Sequence, residues 1–286
     1  MLNNWSEASD KFMGKEQLED IEIQLLLEGI FRYYGFDFRN YALASIKRRI
    51  WHAIHAEGLT SISGLQEKVL HSPECMERFL YKLSVNVTSM FRDPSFFLVF
   101  RNKVVPILRT YPFIRIWHAG CSTGEEVYSM AILLHEEGLY HRSRLYATDI
   151  NEISLRTARA GIFSLELMQE YTQNYLLAGG KKSFSEYYTA AYENAIFPSY
   201  IKDNIIFSQH NLVTDNSFNE FNIILCRNVL IYFDKVLQKR VHNLFYDSLI
   251  MFGILGLGRQ ESVKFTTHEP DYEELEKGEK LYRRIC

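Results

Sequence analysis

The chain has 286 residues, of which 47% are hydrophobic and 23% are charged, and its formal net charge is −3 at pH 7. This length and composition predict a globular protein of one large or two smaller domains, with a sizeable apolar core. The small net charge gives no reason to expect nucleic acid or an anionic membrane surface as a partner.

The four cysteines are scattered along the chain, without a C-x-x-C pair or the spacing of metal ligands. This pattern favours a reducing compartment over a disulfide framework or a zinc site, so we expect no bound metal. The polar start of the chain lacks the apolar core of a signal peptide. The nearest candidate for a membrane span, Leu249 to Leu257, is short and broken by glycines. The sequence therefore predicts a cytoplasmic protein without direct membrane insertion.

Residues 1–20 are interpreted as a polar lead, and residues 21–112 as an all-helical N-terminal domain. No strand candidate competes in this region. Asp93 and Pro94 are typical of a helix start, with Asp as the N-cap and Pro at the first helical position. The predicted helices run from Ile21 until Gly35 breaks the pattern, and then over 41–57, 63–70, 73–83 and 94–109.

After Pro112 strands and helices alternate, which predicts an α/β fold with a doubly wound, mostly parallel sheet over 113–286. Residues 163–204 interrupt this alternation and are interpreted as a small inserted β-subdomain. The predicted strands are 114–118, 144–149, 205–210, 221–226 and 255–257, with 280–284 as an antiparallel edge, and the predicted helices are 127–137, 154–160 and 234–250.

The first of these strands runs into a turn from Gly120 to Gly124, and Glu125 and Glu126 open the next helix. Strand, glycine turn and helix form the nucleotide-handling unit of doubly wound folds. A dinucleotide site would have G-x-G-x-x-G at this point. Two carboxylates here would repel a pyrophosphate, at a cost of order several kcal/mol for an effective dielectric near ~20. The turn therefore favours S-adenosylmethionine, which has a sulfonium, an ammonium and no phosphate. The alternative is that the two carboxylates only complement the helix dipole.

Other strand ends carry polar residues at the same edge of the predicted sheet. Asp149 ends the second strand, where an acidic residue accepts hydrogen bonds from ribose hydroxyls; its alternative role is a helix N-cap. After the third and fourth strands, backbone and side-chain amide groups are expected to recognise the edge of the adenine, and Leu212 and Val229 are expected to pack on its ring. Turn chemistry is the alternative for Asn211 and Asn228.

Five motifs follow one another along the chain. They are Asn86-Val-Thr88-Ser-Met-Phe-Arg92-Asp93, Ala119-Gly-Cys-Ser-Thr-Gly-Glu-Glu126, Thr148-Asp149-Ile150, Asn211-Leu212 and Cys226-Arg-Asn-Val-Leu-Ile-Tyr232-Phe-Asp234. Taken together and in this order, they resemble the motifs of the CheR-type chemotaxis receptor methyltransferases, and the resemblance covers about residues 20–286. No single motif is as specific as their combination.

The resemblance implies a helical N-terminal domain that is followed along the chain by a class I, Rossmann-like methyltransferase domain. It implies methyl transfer from S-adenosyl-L-methionine to glutamate side chains on the cytoplasmic helices of chemoreceptors, with S-adenosyl-L-homocysteine as the product. By the resemblance, Arg92 and Tyr232 face the reacting methyl group and Arg227 borders the site. The residues implied to line the cofactor are Asn86, Thr88, Arg92, Glu126, Asp149, Asn211, Leu212, Asn228 and Val229.

A glutamate carboxylate is already ionised at neutral pH, so the transfer requires placement and exclusion of water more than a strong base. We expect Arg92 and Tyr232 to orient this carboxylate. For Arg92 the alternative is a structural ion pair, and for Tyr232 an amphipathic core position. Two other functions stay open: a catalytically weak domain that binds S-adenosylmethionine or receptors for signalling, and a methyltransferase with a different substrate.

The basic run Lys47-Arg48-Arg49, together with Arg39, lies on or near the second predicted helix. One interpretation is an ordinary solvated helix face. The other is a docking surface for acidic, glutamate-bearing receptor helices.

Overall fold

The computed structural model describes residues 15–83 and 88–286. The chain divides into two compact units, Met1–Leu83 and Ser84–Cys286. The sequence predicted this boundary at residue 112. The division lies earlier because the helical segment that starts at Pro94 buries Phe96, Phe97 and Phe100 in the same core as Ile116 of the sheet. Helical periodicity identified these helices but not the core against which they pack.

The described part of the first unit is all helical, as the sequence predicted. Residues 1–14 of the predicted polar lead lie outside the described residues, whereas 15–20 belong to the first helix. Ser61 caps the third helix, and its hydroxyl accepts a hydrogen bond from the amide of Gly64 at 3.1 Å. The helices are α1 (Lys15–Tyr34), α2 (Leu43–Ala56), α3 (Ile62–His71) and α4 (Pro73–Leu83).

The basic residues on and beside α2 have different environments. Arg49 is buried and donates to the carbonyl of Leu83 at the end of α4. Lys47 forms a 2.8 Å ion pair with an acidic residue of α1. Only Arg39 and Arg48 of this group are exposed. The predicted docking surface therefore does not include the whole run, because Arg49 is part of the core.

The second unit is an α/β domain, and all the strands and helices predicted for the sheet are present. A π-helical turn, Phe100–Val104, separates its first two helices. The helices are α5 (Pro94–Val99), α6 (Val105–Leu108), α7 (Glu125–Glu136), α8 (Glu152–Ala160), α9 (Met168–Leu177), α10 (Ser199–Lys202) and α11 (Lys235–Ser248). The strands are β1 (Ile114–Ala119), β2 (Ser143–Asp149), β3 (Ile162–Ser164), β4 (Thr189–Ala191), β5 (Asn194–Ile196), β6 (Ile205–Gln209), β7 (Phe221–Cys226), β8 (Leu249–Leu257), β9 (Tyr272–Glu274) and β10 (Leu281–Arg284).

Seven strands form the main sheet in the order β6-β2-β1-β7-β8-β10-β9. The strands from β6 to β8 are parallel. β1 is the middle one of these five parallel strands, with β2 on one side and β7 on the other, so the strand order reverses beside it. In an open α/β sheet this reversal creates a crevice at the carboxyl ends of the strands, where ligands bind.

The C-terminal end of the sheet differs from the prediction in two respects. β8 begins at Leu249, directly after α11, so it is longer than the predicted strand 255–257. The last strand, β10, is antiparallel as predicted but is not the edge, because β9 pairs along its outer side. Gly278 permits this hairpin, since its φ of +89° lies in the left-handed region that glycine adopts readily.

The inserted segment carries a separate sheet of three short antiparallel strands in the order β3-β5-β4. Arg101 joins this segment to the main domain. Its Nε donates to the carbonyl of Ala178 at 3.0 Å, and its Nη1 pairs with Glu137 at 2.9 Å. Across the described ranges, no helix is both long and apolar enough to cross a lipid bilayer.

Candidate active site

The loop after β1 forms a tight turn against the end of β2. The amides of Gly120 and Cys121 both donate to the carbonyl of Thr148, at 2.8 and 2.9 Å. Gly120 has a φ of +84°, and a Cβ at this position would lie 2.5 Å from Cγ2 of Val229. Glycine is therefore required at position 120 for two reasons: the backbone conformation, and the close approach of the loop after β7.

Asp149 is held in one orientation by two backbone amides. Its Oδ2 accepts from the amide of Ser122 at 2.8 Å, and its Oδ1 accepts from the amide of Asn151 at 2.9 Å. The N-cap of α8 is Asn151, so the alternative role of Asp149 as the cap is wrong. Burial raises the pKa of Asp149, while the backbone hydrogen bonds act to lower it. Each carboxylate oxygen has a further lone pair with which to accept a ligand hydroxyl.

The acidic pair at the start of α7 occupies two different environments. Glu125 is buried and accepts from the hydroxyl of Thr123 at 2.7 Å, and burial raises the pKa of Glu125. Glu126 lies 2.9 Å from Nδ1 of His118 and 3.1 Å from Nη1 of Arg227. Burial opposes ionisation of Glu126, but these partners lower its pKa. The two carboxylates that the sequence predicted to repel a pyrophosphate are therefore not equivalent, because Glu126 pairs with Arg227 whereas burial opposes ionisation of Glu125.

Arg227 connects three segments at the carboxyl edge of the sheet. Its side chain is 3% exposed and forms ion pairs with Asp93 at 2.8 Å and Glu126 at 3.1 Å. It also donates to the backbone carbonyl of Arg92 at 2.9 Å. The guanidinium carbon lies 4.2 Å from the ring centroid of Phe96, within the range of a cation–π interaction. Arg227 thereby fastens the segment that contains Arg92 to the start of α7.

Asp93 occupies the N-cap position of α5 and Pro94 the first helical position, as predicted, but the side chain of Asp93 does not cap the helix. Its φ is +57°, its side chain makes no capping hydrogen bond, and its carboxylate instead pairs with Arg227 and with Arg259 at 3.2 Å. Phe91 also has a positive φ, of +52°, and its amide donates to a hydroxyl on α7 at 2.8 Å. Arg92 therefore lies between two non-glycine residues with left-handed backbone conformations, which are energetically unfavourable for such residues.

The loop after β6 begins beside Asp149, because the amide of His210 donates to the carbonyl of Asp149 at 3.1 Å. Asn211 is buried, and its Oδ1 accepts from the amide of Val213 at 3.0 Å. This is the turn chemistry given as the alternative for Asn211. Leu212 is also buried. The side-chain oxygen of Asn211 thus stabilises the turn that contains Leu212.

The loop after β7 is held by Glu261, a residue that the sequence analysis missed. Glu261 is 5% exposed and accepts hydrogen bonds from four backbone amides. Burial raises the pKa of Glu261, and the four amides act to lower it. The available signal was an acidic residue just after a strand that ends at the same edge of the sheet. The donors are the amides of Asn228 at 2.9 Å, Val229 at 2.8 Å, Leu230 at 2.7 Å and Gly258 at 2.6 Å.

The remaining predicted site residues are distributed as follows. Tyr232 is half-buried and ends the 3₁₀ helix Leu230–Tyr232, which follows the same loop. Thr88 is half-buried and begins the described part of the second unit, whereas Asn86 lies outside the described residues. Among the described residues, no group of three or more His, Cys, Asp or Glu side chains is arranged to hold a metal ion.

Two family models match the chain and between them cover both units. The SAM-binding domain of the CheR methyltransferases matches residues 86–280, and their all-alpha domain matches residues 21–84. The putative methyltransferase Cher3 of Pseudomonas putida is 53% identical over 95% of this chain and 100% of its own length. The chemotaxis protein methyltransferase of Listeria innocua is 29% identical over 81% of this chain and 86% of its own. That of Escherichia coli is 27% identical over 86% of this chain and 85% of its own.

Proposed function

The chain belongs to the CheR methyltransferase family, and we propose that it esterifies glutamate side chains on the cytoplasmic helices of chemoreceptors. Membership makes it an S-adenosylmethionine-dependent methyltransferase with a Rossmann-like domain, as the resemblance implied. The observation that supports the glutamate proposal is that Arg227 anchors the backbone of Arg92 at the carboxyl edge of the sheet, because an arginine at this edge would suit an ionised carboxylate. Relatives named chemotaxis protein methyltransferases support a receptor as the substrate.

The carboxyl edge of the sheet fits S-adenosyl-L-methionine. Gly120 keeps the turn free of a side chain, and Asp149 is oriented by two amides with lone pairs left for ribose hydroxyls. When bound, S-adenosyl-L-methionine supplies an electrophilic methyl group on a sulfonium, and S-adenosyl-L-homocysteine is the product. The residues that we propose to line it are Asn86, Thr88, Arg92, Glu126, Asp149, Asn211, Leu212, Asn228 and Val229.

The reaction requires orientation rather than acid–base chemistry from the protein. A glutamate carboxylate is ionised at neutral pH, so Arg92 and the hydroxyl of Tyr232 need only hold one oxygen in line and help to exclude water. Burial raises the pKa of the Cys121 and Cys226 thiols well above the usual value, so neither supplies a thiolate that would compete for the methyl group. We place the reaction in the cytoplasm, where such free thiols persist.

Replacing Arg92 by alanine should reduce the initial rate of receptor methylation by about 100-fold, because the carboxylate loses the group that places it. Tyr232→Phe should reduce the rate by roughly tenfold, the cost of one hydrogen bond to a charged group. Rates are measured with radiolabelled S-adenosylmethionine on membranes that contain a chemoreceptor. Arg115→Ala is the matched control, because Arg115 is exposed near the amino end of β1, away from the carboxyl edge. Wild-type rates in both site variants would exclude the orienting role.

The incorporated label should be released by mild alkali, because a carboxyl methyl ester is hydrolysed by base and an N-methyl group is not. The measurement is volatile radioactivity from the labelled receptor before and after alkali. Alkali-stable label would indicate another substrate group. Cofactor binding without any incorporation would instead support the alternative of a catalytically weak signalling domain.

A further inference from the structure

We propose that Glu261 is a positioning residue for the cofactor: its carboxylate holds the loop after β7 in the conformation that binds S-adenosylmethionine. This inference rests on the proposed function, in which Asn228 and Val229 line the cofactor. Glu261 itself acts through these residues and is not assigned a contact with the reacting atoms. Its role is distinct from that of Arg227, whose ion pairs hold the segment around Arg92.

The first observation is that three consecutive amides converge on one carboxylate. The amide of Asn228 donates to Oε2 of Glu261, and the amides of Val229 and Leu230 both donate to Oε1. Asn228 has a φ of +61°, a left-handed conformation that lets successive amides point to one side. Such a backbone nest normally binds an anion, and here the anion is supplied by the chain itself. Without Glu261 these donors would lack their acceptor in a loop that is half-buried at Asn228 and Val229 and buried at Leu230.

The second observation is the lack of space between Glu261 and its neighbours. A Cβ at Gly258 would lie 2.7 Å from Oε2 of Glu261 and 2.8 Å from the amide nitrogen of Asn228. The end of β8 and the loop after β7 therefore approach each other closely, with the carboxylate accepting from both. On the opposite side, Cγ2 of Val229 covers Gly120 in the glycine turn. A displacement of this loop thus moves Val229 relative to the turn that the cofactor requires.

The arrangement requires the carboxylate form of Glu261, because each of its two oxygens accepts hydrogen bonds from two backbone amides. Glutamine has nearly the same shape, but it offers one acceptor oxygen and turns an NH₂ group toward some of the amides. We expect Glu261→Gln to lower the affinity for S-adenosylhomocysteine at least about tenfold, the effect of about one lost hydrogen bond to a charged group. Glu261→Asp keeps the carboxylate, but its side chain is one methylene shorter. The affinity of this variant for S-adenosylhomocysteine should therefore lie between those of the wild type and Glu261→Gln.

The experiment is calorimetric titration of the full chain with S-adenosylhomocysteine. It compares the wild type, Glu261→Gln, Glu261→Asp and the control Glu137→Gln. Glu137 is also a buried carboxylate, but it pairs with Arg101 at 2.9 Å and Lys181 at 2.8 Å, away from the loop after β7. Thermal unfolding with and without ligand gives a second readout, because a bound ligand raises Tm according to its affinity. Glu137→Gln should lower Tm yet keep the wild-type ligand-induced rise, whereas Glu261→Gln should lose much of that rise.

The outcomes separate this inference from the function on which it rests. If the wild type does not bind S-adenosylhomocysteine, the proposed function fails, and the inference with it. If the wild type binds and Glu261→Gln binds equally well, only the positioning role is overturned. Equal losses of affinity in Glu261→Gln and Glu137→Gln also overturn it, because both would then reflect general destabilisation. If Glu261→Gln does not fold, Glu261→Asp decides: wild-type affinity contradicts the role, and reduced affinity with an intact fold supports it.

Discussion

Replacing Arg227 by alanine should destabilise the second unit by about 3–5 kcal/mol, the usual cost of removing one partner from a buried ion pair. The side chain is 3% exposed, and its partners Asp93 and Glu126 are 20% and 17% exposed. After the substitution, Glu126 retains His118 but loses its nearby positive charge. The backbone carbonyl of Arg92 loses its donor as well, so methyl transfer should fall together with stability.

Urea denaturation of the full chain, followed by circular dichroism, measures this loss. Arg259→Ala is the matched control, because Arg259 pairs with the same Asp93 at 3.2 Å but is 58% exposed. Solvent screens that pair, so its removal should cost no more than about 1 kcal/mol. Equal effects of the two substitutions would show that the burial of Arg227 does not strengthen the network.

Replacing Asp149 by asparagine should lower the affinity for S-adenosylhomocysteine by about 100-fold, since hydrogen bonds to a charged group contribute roughly 1.5–3 kcal/mol each. Both oxygens of Asp149 already accept from the amides of Ser122 and Asn151. Asparagine keeps the shape but turns an NH₂ group toward one of these donors. The substitution therefore disturbs the turn as well as the proposed contact with the ribose.

Calorimetric titration measures this effect, with Glu152→Gln as the control. Glu152 is near Asp149 in sequence, but its side chain is 37% exposed and pairs with Arg159. The pH dependence gives a second test, because the ribose contact needs the ionised form. Burial raises the pKa of Asp149 above 3.8, so wild-type affinity should fall as the pH drops through that raised pKa, and Asp149→Asn should lack this dependence. Unchanged affinity in Asp149→Asn would remove Asp149 from the binding site.

The architecture of the sheet was predictable from the sequence because its signals are local. Apolar runs marked the strands, and the glycine turn after β1 marked the edge at which ligands bind. Gly120 illustrates the limit of such signals. Its backbone conformation follows from the turn, but its contact with Val229 depends on a loop that is distant in sequence.

The features that sequence reasoning missed all depend on distant partners. Asp93 carries a normal N-cap signal, yet ion pairs with Arg227 and Arg259 take its carboxylate away from the helix. Arg227 also neutralises Glu126, so the charge of the acidic pair could not be judged from the turn alone. Glu261 belongs to no local motif, and its importance appears only when β7 and β8 lie side by side.

The central position of β1 has a consequence for how the nascent chain folds on the ribosome. β2 can pair with one side of β1, and β6 with β2, before β7 is synthesised. The other side of β1 has no partner strand until then, because Ile116 pairs with Ile223 of β7. Until then the growing chain presents an exposed, apolar edge strand, which is prone to aggregate with other chains. Arg227 follows β7 and Glu261 follows β8, so the groups that order the candidate active site are synthesised after β1 and its glycine turn.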